Sequence, residues 1–173
     1  MKRQVIIYLA VPLLLIGCGQ KELSRFEAKQ LLIESKTYPK VIDYDIYCSD
    51  GQVANKVAGT QLERNGFVVV SKVRTGDKPF FTFTEKATPF LLETSQRDKE
   101  VDIQKVKLAD EILVEITGIT SAEDGKKAVV EYTTRMENIS PFAVLLDREI
   151  KSAATRKANF VLYDDGWRLE KKN

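Results

Sequence analysis

The chain has no histidine among its 173 residues. That removes the commonest general base near neutral pH and the commonest transition-metal ligand. It has two cysteines, Cys18 and Cys48, too few for a disulfide framework. Nine glycines are present, and none forms a glycine-rich phosphate loop. No serine sits in a nucleophile-elbow sequence. The acidic pairs Asp43-x-Asp45 and Asp164-Asp165 lack calcium-loop spacing. The first pair reads as the polar face of a strand, the second as a turn. The longest apolar run, Val5 to Ile16, is too short to span a bilayer comfortably as a helix. No metal or cofactor is expected.

What is present begins at the N-terminus. Lys2-Arg3 precedes that apolar run, which only Tyr8 and Pro12 interrupt and no charge enters. This is the layout of an export signal. It ends in Leu15-Ile16-Gly17-Cys18: an aliphatic residue, a tolerated one, a small one, then cysteine. The stretch resembles a bacterial lipobox. The resemblance implies that residues 1–17 are a lipoprotein signal peptide. It implies that Cys18 carries a thioether-linked diacylglycerol and becomes the first mature residue. Gly19, where an aspartate would imply inner-membrane retention, implies the outer membrane, facing the periplasm, in a Gram-negative cell. In another host it implies the cell membrane. Two or three acyl chains anchor firmly, each buried methylene adding roughly 0.8 kcal/mol. Residues 18–23 form a short tether. Its four residues Gly19 to Glu22 reach about 14 Å at most, so the folded part sits close to the membrane.

Removing the signal also removes Lys2 and Arg3. Of 27 basic residues 25 remain, against 25 acidic ones. The expected mature chain is neutral, with no basic footprint for nucleic acid. Lipid on Cys18 leaves Cys48 without an intramolecular partner. In residues 41–48, a period of two puts Ile42, Tyr44, Ile46 and Cys48 on one face. The thiol is expected to be buried as a small hydrophobe.

Residues 24–95 read as an N-terminal α+β subdomain. Ser24-Arg25-Phe26-Glu27 is a capping box opening a helix through Ala28, Leu31 and Leu32, closed at Tyr38-Pro39. The Cys48 strand follows. Ser49-x-x-Gln52 reads as a second box, opening one helix with Val53, Val57, Ala58 and Leu62 as its stripe. Asn65-Gly66 stops it. Residues 67–73 and 80–83 read as a hairpin joined by a loop at 74–79. Residues 84–87 start a short helix limited by Pro89. This order, with Leu62-Glu63-Arg64-Asn65-Gly66-Phe67 before the first hairpin strand and Phe83-Thr84-Glu85-Lys86 after the second, resembles a winged helix, and the resemblance implies protein contact, not DNA binding.

Ser95 to Glu100 is polar throughout and reads as a solvated linker. Residues 101–173 read as a C-terminal antiparallel-sheet subdomain. Ile112, Val114 and Ile116 alternate in one strand, and Ala128, Val130, Tyr132, Thr134 and Met136 in the next. Ser140-Pro141 starts a short helix. Strands at Ala158-Phe160-Leu162 and Trp167-Leu169 flank an Asp164-Asp165-Gly166 turn. The closing hairpin resembles those of cystatin-like and nuclear-transport-factor-like domains, which implies a cupped sheet able to hold a ligand.

The fold class expected is α+β, with helix, strand, helix and hairpin followed by an antiparallel sheet carrying one short helix. The expected function is a lipid-anchored, non-catalytic module that contacts an envelope protein at the membrane surface. The alternative is a small-ligand carrier with an apolar pocket between residues 107 and 171, and an enzyme ranks third. Tyr132, Phe142, Leu145, Leu146 and Trp167 are the candidate contact or pocket residues.

Overall fold

The computed structural model describes residues 22–36, 38–71, 79–146 and 153–170. Residues 1–17, Cys18 and most of the tether lie outside the described residues, as does most of the 74–79 loop. No helix among the described residues is long and apolar enough to cross a membrane.

The fold is α+β, built on a curled five-stranded antiparallel sheet. Helix α1 spans Arg25–Lys36 and strand β1 spans Lys40–Tyr47. Helices α2 (Gly51–Ala58) and α3 (Gln61–Arg64) precede a small hairpin of β2 (Val68–Val70) and β3 (Phe81–Phe83). A 3-10 turn (Glu85–Phe90) and helix α4 (Gln96–Glu100) lead into β4 (Ile103–Ser121). Strand β5 (Lys127–Glu137), a 3-10 turn (Pro141–Leu145), β6 (Ala153–Tyr163) and β7 (Gly166–Leu169) complete the chain. The large sheet runs β1-β4-β5-β6-β7, and β2-β3 stands apart.

Local chemistry sets the helix ends. Ser24 Oγ accepts from the Glu27 N–H at 3.1 Å, capping α1 as its box implies. The cap of α2 is Asp50, not the expected Ser49. Asp50 Oδ1 accepts from the Gln52 and Val53 N–H groups at 2.7 and 3.4 Å. A carboxylate also complements the positive end of the helix dipole. Ser49 instead donates its hydroxyl to Asp102. The expected single helix from Val53 to Leu62 is interrupted. Thr60 Oγ1 accepts from the Leu62 N–H at 3.2 Å and starts α3 afresh. Gly66, at φ +70°, supplies the left-handed stop.

Strand β4 departs most from the sequence reading. Three register shifts leave Leu108, Val114 and Thr117 as extra residues against their neighbouring strands. A bulged residue is unpaired in its ladder, so its carbonyl needs another donor. All three find one outside the ladder. Leu108 O accepts from the Ser140 N–H at 2.8 Å. Val114 O accepts from Lys29 Nζ at 3.0 Å, and Thr117 O from Arg25 at 3.3 Å. The last two contacts fix α1 across the sheet. The bulge also breaks the expected alternation of Ile112, Val114 and Ile116. Val114 is 37% exposed, while Leu113 and Ile116 are buried together.

The expected linker at Ser95–Glu100 is instead α4, capped by Ser95. Beside it, Leu92 N–H donates to Lys105 O at 2.9 Å and Leu91 bridges to Val106, so the chain lines the start of β4. On the other side β1 pairs with β4 from Tyr47↔Ile103 to Lys40↔Glu111. A strand from residues 24–95 is thus an edge strand of the sheet formed by residues 101–173.

Two buried clusters flank β4. The first joins Ile46, Cys48, Val57, Leu62, Phe81, Val106, Leu108, Phe142 and Leu145. Phe142 meets Phe67, Phe83 and Phe90 at centroid distances of 5.9–6.2 Å, two of the three edge-to-face. The second joins Leu23, Ala28 and Leu32 to Leu113, Ile116, Val130, Tyr132, Phe160 and Trp167. Here α1 lies over the sheet.

Candidate functional site

Where α1 hands over to β1, a cleft of about 340 Å³ opens against the sheet. Its walls are Lys36, Tyr38, Lys40, Glu111, Tyr132 and Arg156. Lys36 ends α1, where a cation complements the helix dipole. Tyr38 occupies the turn, with its N–H donating to Ile33 O at 3.2 Å. Lys40 opens β1, and Glu111 is its partner across the ladder. Tyr132 on β5 pairs with Arg156 on β6.

Glu111 is only 3% exposed. A carboxylate so placed needs a counter-ion and hydrogen bonds. Arg156 supplies both: Nε donates to Glu111 Oε1 at 2.7 Å, and Nη2 lies 2.5 Å from the same oxygen. Arg156 Nε also reaches Thr134 Oγ1 at 3.3 Å. The guanidinium is the solvent side of the pair, its side chain 44% exposed.

The two phenols act together. Lys36 Nζ donates to Tyr132 Oη at 2.9 Å and lies 5.5 Å from the centroid of that ring. Tyr38 lies beside Tyr132 in the same wall. Burial first, then the neighbouring Tyr132, holds the Tyr38 phenol above its ordinary range. It stays protonated at neutral pH and can donate a hydrogen bond. Lys40 makes no ion pair among the described residues.

With the Glu111–Arg156 pair internally neutral, two ammonium groups remain. The cleft therefore offers positive charge and hydrogen-bond donors. It offers no nucleophile held against a free base.

Of the sequence candidates, only Tyr132 reaches this cleft, and only with its hydroxyl end; its ring is fully buried in the second cluster, which also holds Trp167. Phe142 and Leu145 are fully buried in the first cluster, with Leu146 packed against it. The five candidates are thus divided between two cores. Cys48 is buried, with Sγ 3.8 Å from Ile46 O. Burial, and next the charge of Asp102, pushes its thiol up to about 12. Asp43 and Asp45 lie on the exposed face of β1 and grip Lys105 at 3.0 and 2.8 Å. Asp165 pairs with Arg168 across its turn. Among the described residues no group of acidic or cysteine side chains could hold a metal ion.

The sequence reading missed Lys36, Tyr38, Lys40, Glu111 and Arg156. No signal in the sequence singles Glu111 out, since Asp110 and Glu115 stand in the same stretch from Leu108 to Ile116.

No protein-family model matches the chain, and no curated protein or solved structure matches it either.

Proposed function

We propose that the chain is a lipid-anchored envelope protein acting as a non-catalytic binding or accessory module at the membrane surface. The anchor rests on Leu15-Ile16-Gly17-Cys18 at the end of an uncharged apolar run. The non-catalytic reading rests on the cleft. Its carboxylate is tied to Arg156, and the Tyr132 hydroxyl accepts from Lys36. These are groups arranged to hold, since catalysis by a nucleophile needs a base free to take its proton. The module works beside the membrane because its tether is short.

Cys18→Ser tests the anchor, because serine cannot form the thioether. Labelled fatty acid should no longer be incorporated, and the uncleaved precursor should accumulate. Normal maturation and membrane fractionation of this variant would refute the anchor. Cross-linking in intact cells should join the anchored protein to a protein of the same membrane. Recovery of the anchored protein only as an uncrosslinked monomer would count against a protein partner.

One observation favours the carrier as a second reading. A depression of about 390 Å³ lies across the end of the sheet at Thr120, Ala128, Val129, Phe160 and Val161. Val129→Glu should abolish uptake of an apolar fluorescent probe if that depression carries a ligand.

A further inference from the structure

We propose that the cleft formed by Lys36, Tyr38, Lys40, Glu111, Tyr132 and Arg156 binds a phosphate monoester group. This goes beyond the envelope reading and does not depend on it. The argument is one of charge, donors and room.

Three cations and one carboxylate line the cleft. Arg156 is committed to Glu111, so the available charge is that of Lys36 and Lys40. A phosphate monoester carries about −1.5 to −2 at neutral pH and three acceptor oxygens. It matches two ammonium groups where a carboxylate would leave one uncompensated. Lys36 spends one of its three N–H donors on Tyr132 and has two left. Lys40 has no ion-pair partner among the described residues. Tyr38, half-buried beside Tyr132, stays protonated well past neutral pH and can donate its hydroxyl. The carboxylate of Glu111 would repel an anion if it were free. Its bonds to Arg156 neutralise it and turn the guanidinium toward the cleft as the exposed partner.

The volume, about 340 Å³, is at the lower end for small-molecule pockets. It exceeds what a bare phosphate fills, so the group bound carries a small organic substituent. That substituent could belong to a soluble metabolite or to a lipid headgroup. The recognising chemistry is the same for both.

Titration calorimetry on the full chain in a non-ionic detergent separates these outcomes. The probes are inorganic phosphate, glycerol phosphate and dihexanoyl phosphatidic acid, with acetate as the control. Glycerol phosphate should bind saturably, and acetate at least tenfold more weakly, about 1.4 kcal/mol. Lys36→Gln and Lys40→Ala should each weaken glycerol phosphate roughly tenfold, as expected for losing a charge-assisted contact. Unchanged urea midpoints would show that the variants fold. Lys99→Ala, on α4, should bind as the parent does. Tighter binding of the phosphatidic acid assigns the site to a lipid headgroup, and equal or weaker binding to a soluble monoester. No saturable binding of any phosphate would overturn the proposal. So would acetate binding as tightly, or full binding by folded Lys36→Gln and Lys40→Ala proteins.

Discussion

Replacing Arg156 by alanine should leave the Glu111 carboxylate almost fully buried without its counter-ion. Breaking a wholly buried ion pair costs about 3–5 kcal/mol, and an exposed one about 0–1 kcal/mol. This pair lies between the limits. Glu111 is 4% exposed at its side chain, but Arg156 is 44% exposed, and water can follow the deleted side chain inward. The expected loss is therefore about 2–3 kcal/mol, discounted for that screening. For a chain of this length it corresponds to a fall of about 5–10 °C in Tm. Urea unfolding followed through Trp167, the chain's single tryptophan, reads it directly. Glu111→Gln keeps the shape of the side chain and removes its charge. In that background Arg156→Ala should cost much less, and the cycle should give a coupling of about 1–2 kcal/mol. Additivity within about 0.3 kcal/mol, or a loss below about 0.5 kcal/mol for Arg156→Ala alone, would refute the view that Arg156 secures the buried carboxylate.

Trp167→Ala should destabilise the protein by about 3–5 kcal/mol by circular dichroism, because the indole is 4% exposed in the second cluster. A loss under about 0.5 kcal/mol would show that the ring does not cover the sheet. The Cys48 thiol should label slowly in the native protein and quickly in urea, since burial suppresses the thiolate. Its ionisation also links stability to pH. The unfolded thiol loses its proton near 9, whereas the native one holds it to about 12. The native state therefore binds more protons in that window, and stability falls as pH rises, by at most about 1.4 kcal/mol per pH unit. Cys48→Ala should flatten this slope between pH 9 and 12. An unchanged slope would place the thiol in solvent.

Elements whose rules are local were legible in the sequence. Ser24 capped its helix, Gly66 stopped another, and the period of two placed Ile46 of β1 and Cys48 just beyond its end inward. The reading failed where tertiary partners decide. Asp50 displaced Ser49 as a cap because Asp102 engaged Ser49 from a distant turn. Ser95–Glu100 has a linker's composition but a serine cap, and it formed a helical turn. The alternation about Val114 failed because bulges move the register, and no side-chain pattern announces a bulge whose carbonyl is served by Lys29. The cleft was illegible for a related reason. Lys36-Thr37-Tyr38-Pro39-Lys40 reads as a helix end, and only the pairing of β1 with β4 brings it to Glu111. Arg156 arrives two strands further on.

That pairing also bears on the order of assembly. Strands β4 to β7 form a meander, and Ser121 pairs with Ala128 across a tight turn. Tyr47 meets Ile103 only after residues 48–102 have been looped out. Closing the longer loop costs more chain entropy before any contact repays it. The meander is thus the early unit and β1 the late arrival. The half of the cleft carried by Tyr38 and Lys40 is completed last, when the edge strand docks. Opening that one strand would dismantle the cleft while leaving the rest of the sheet standing, which makes β1 the weakest point of the recognition surface.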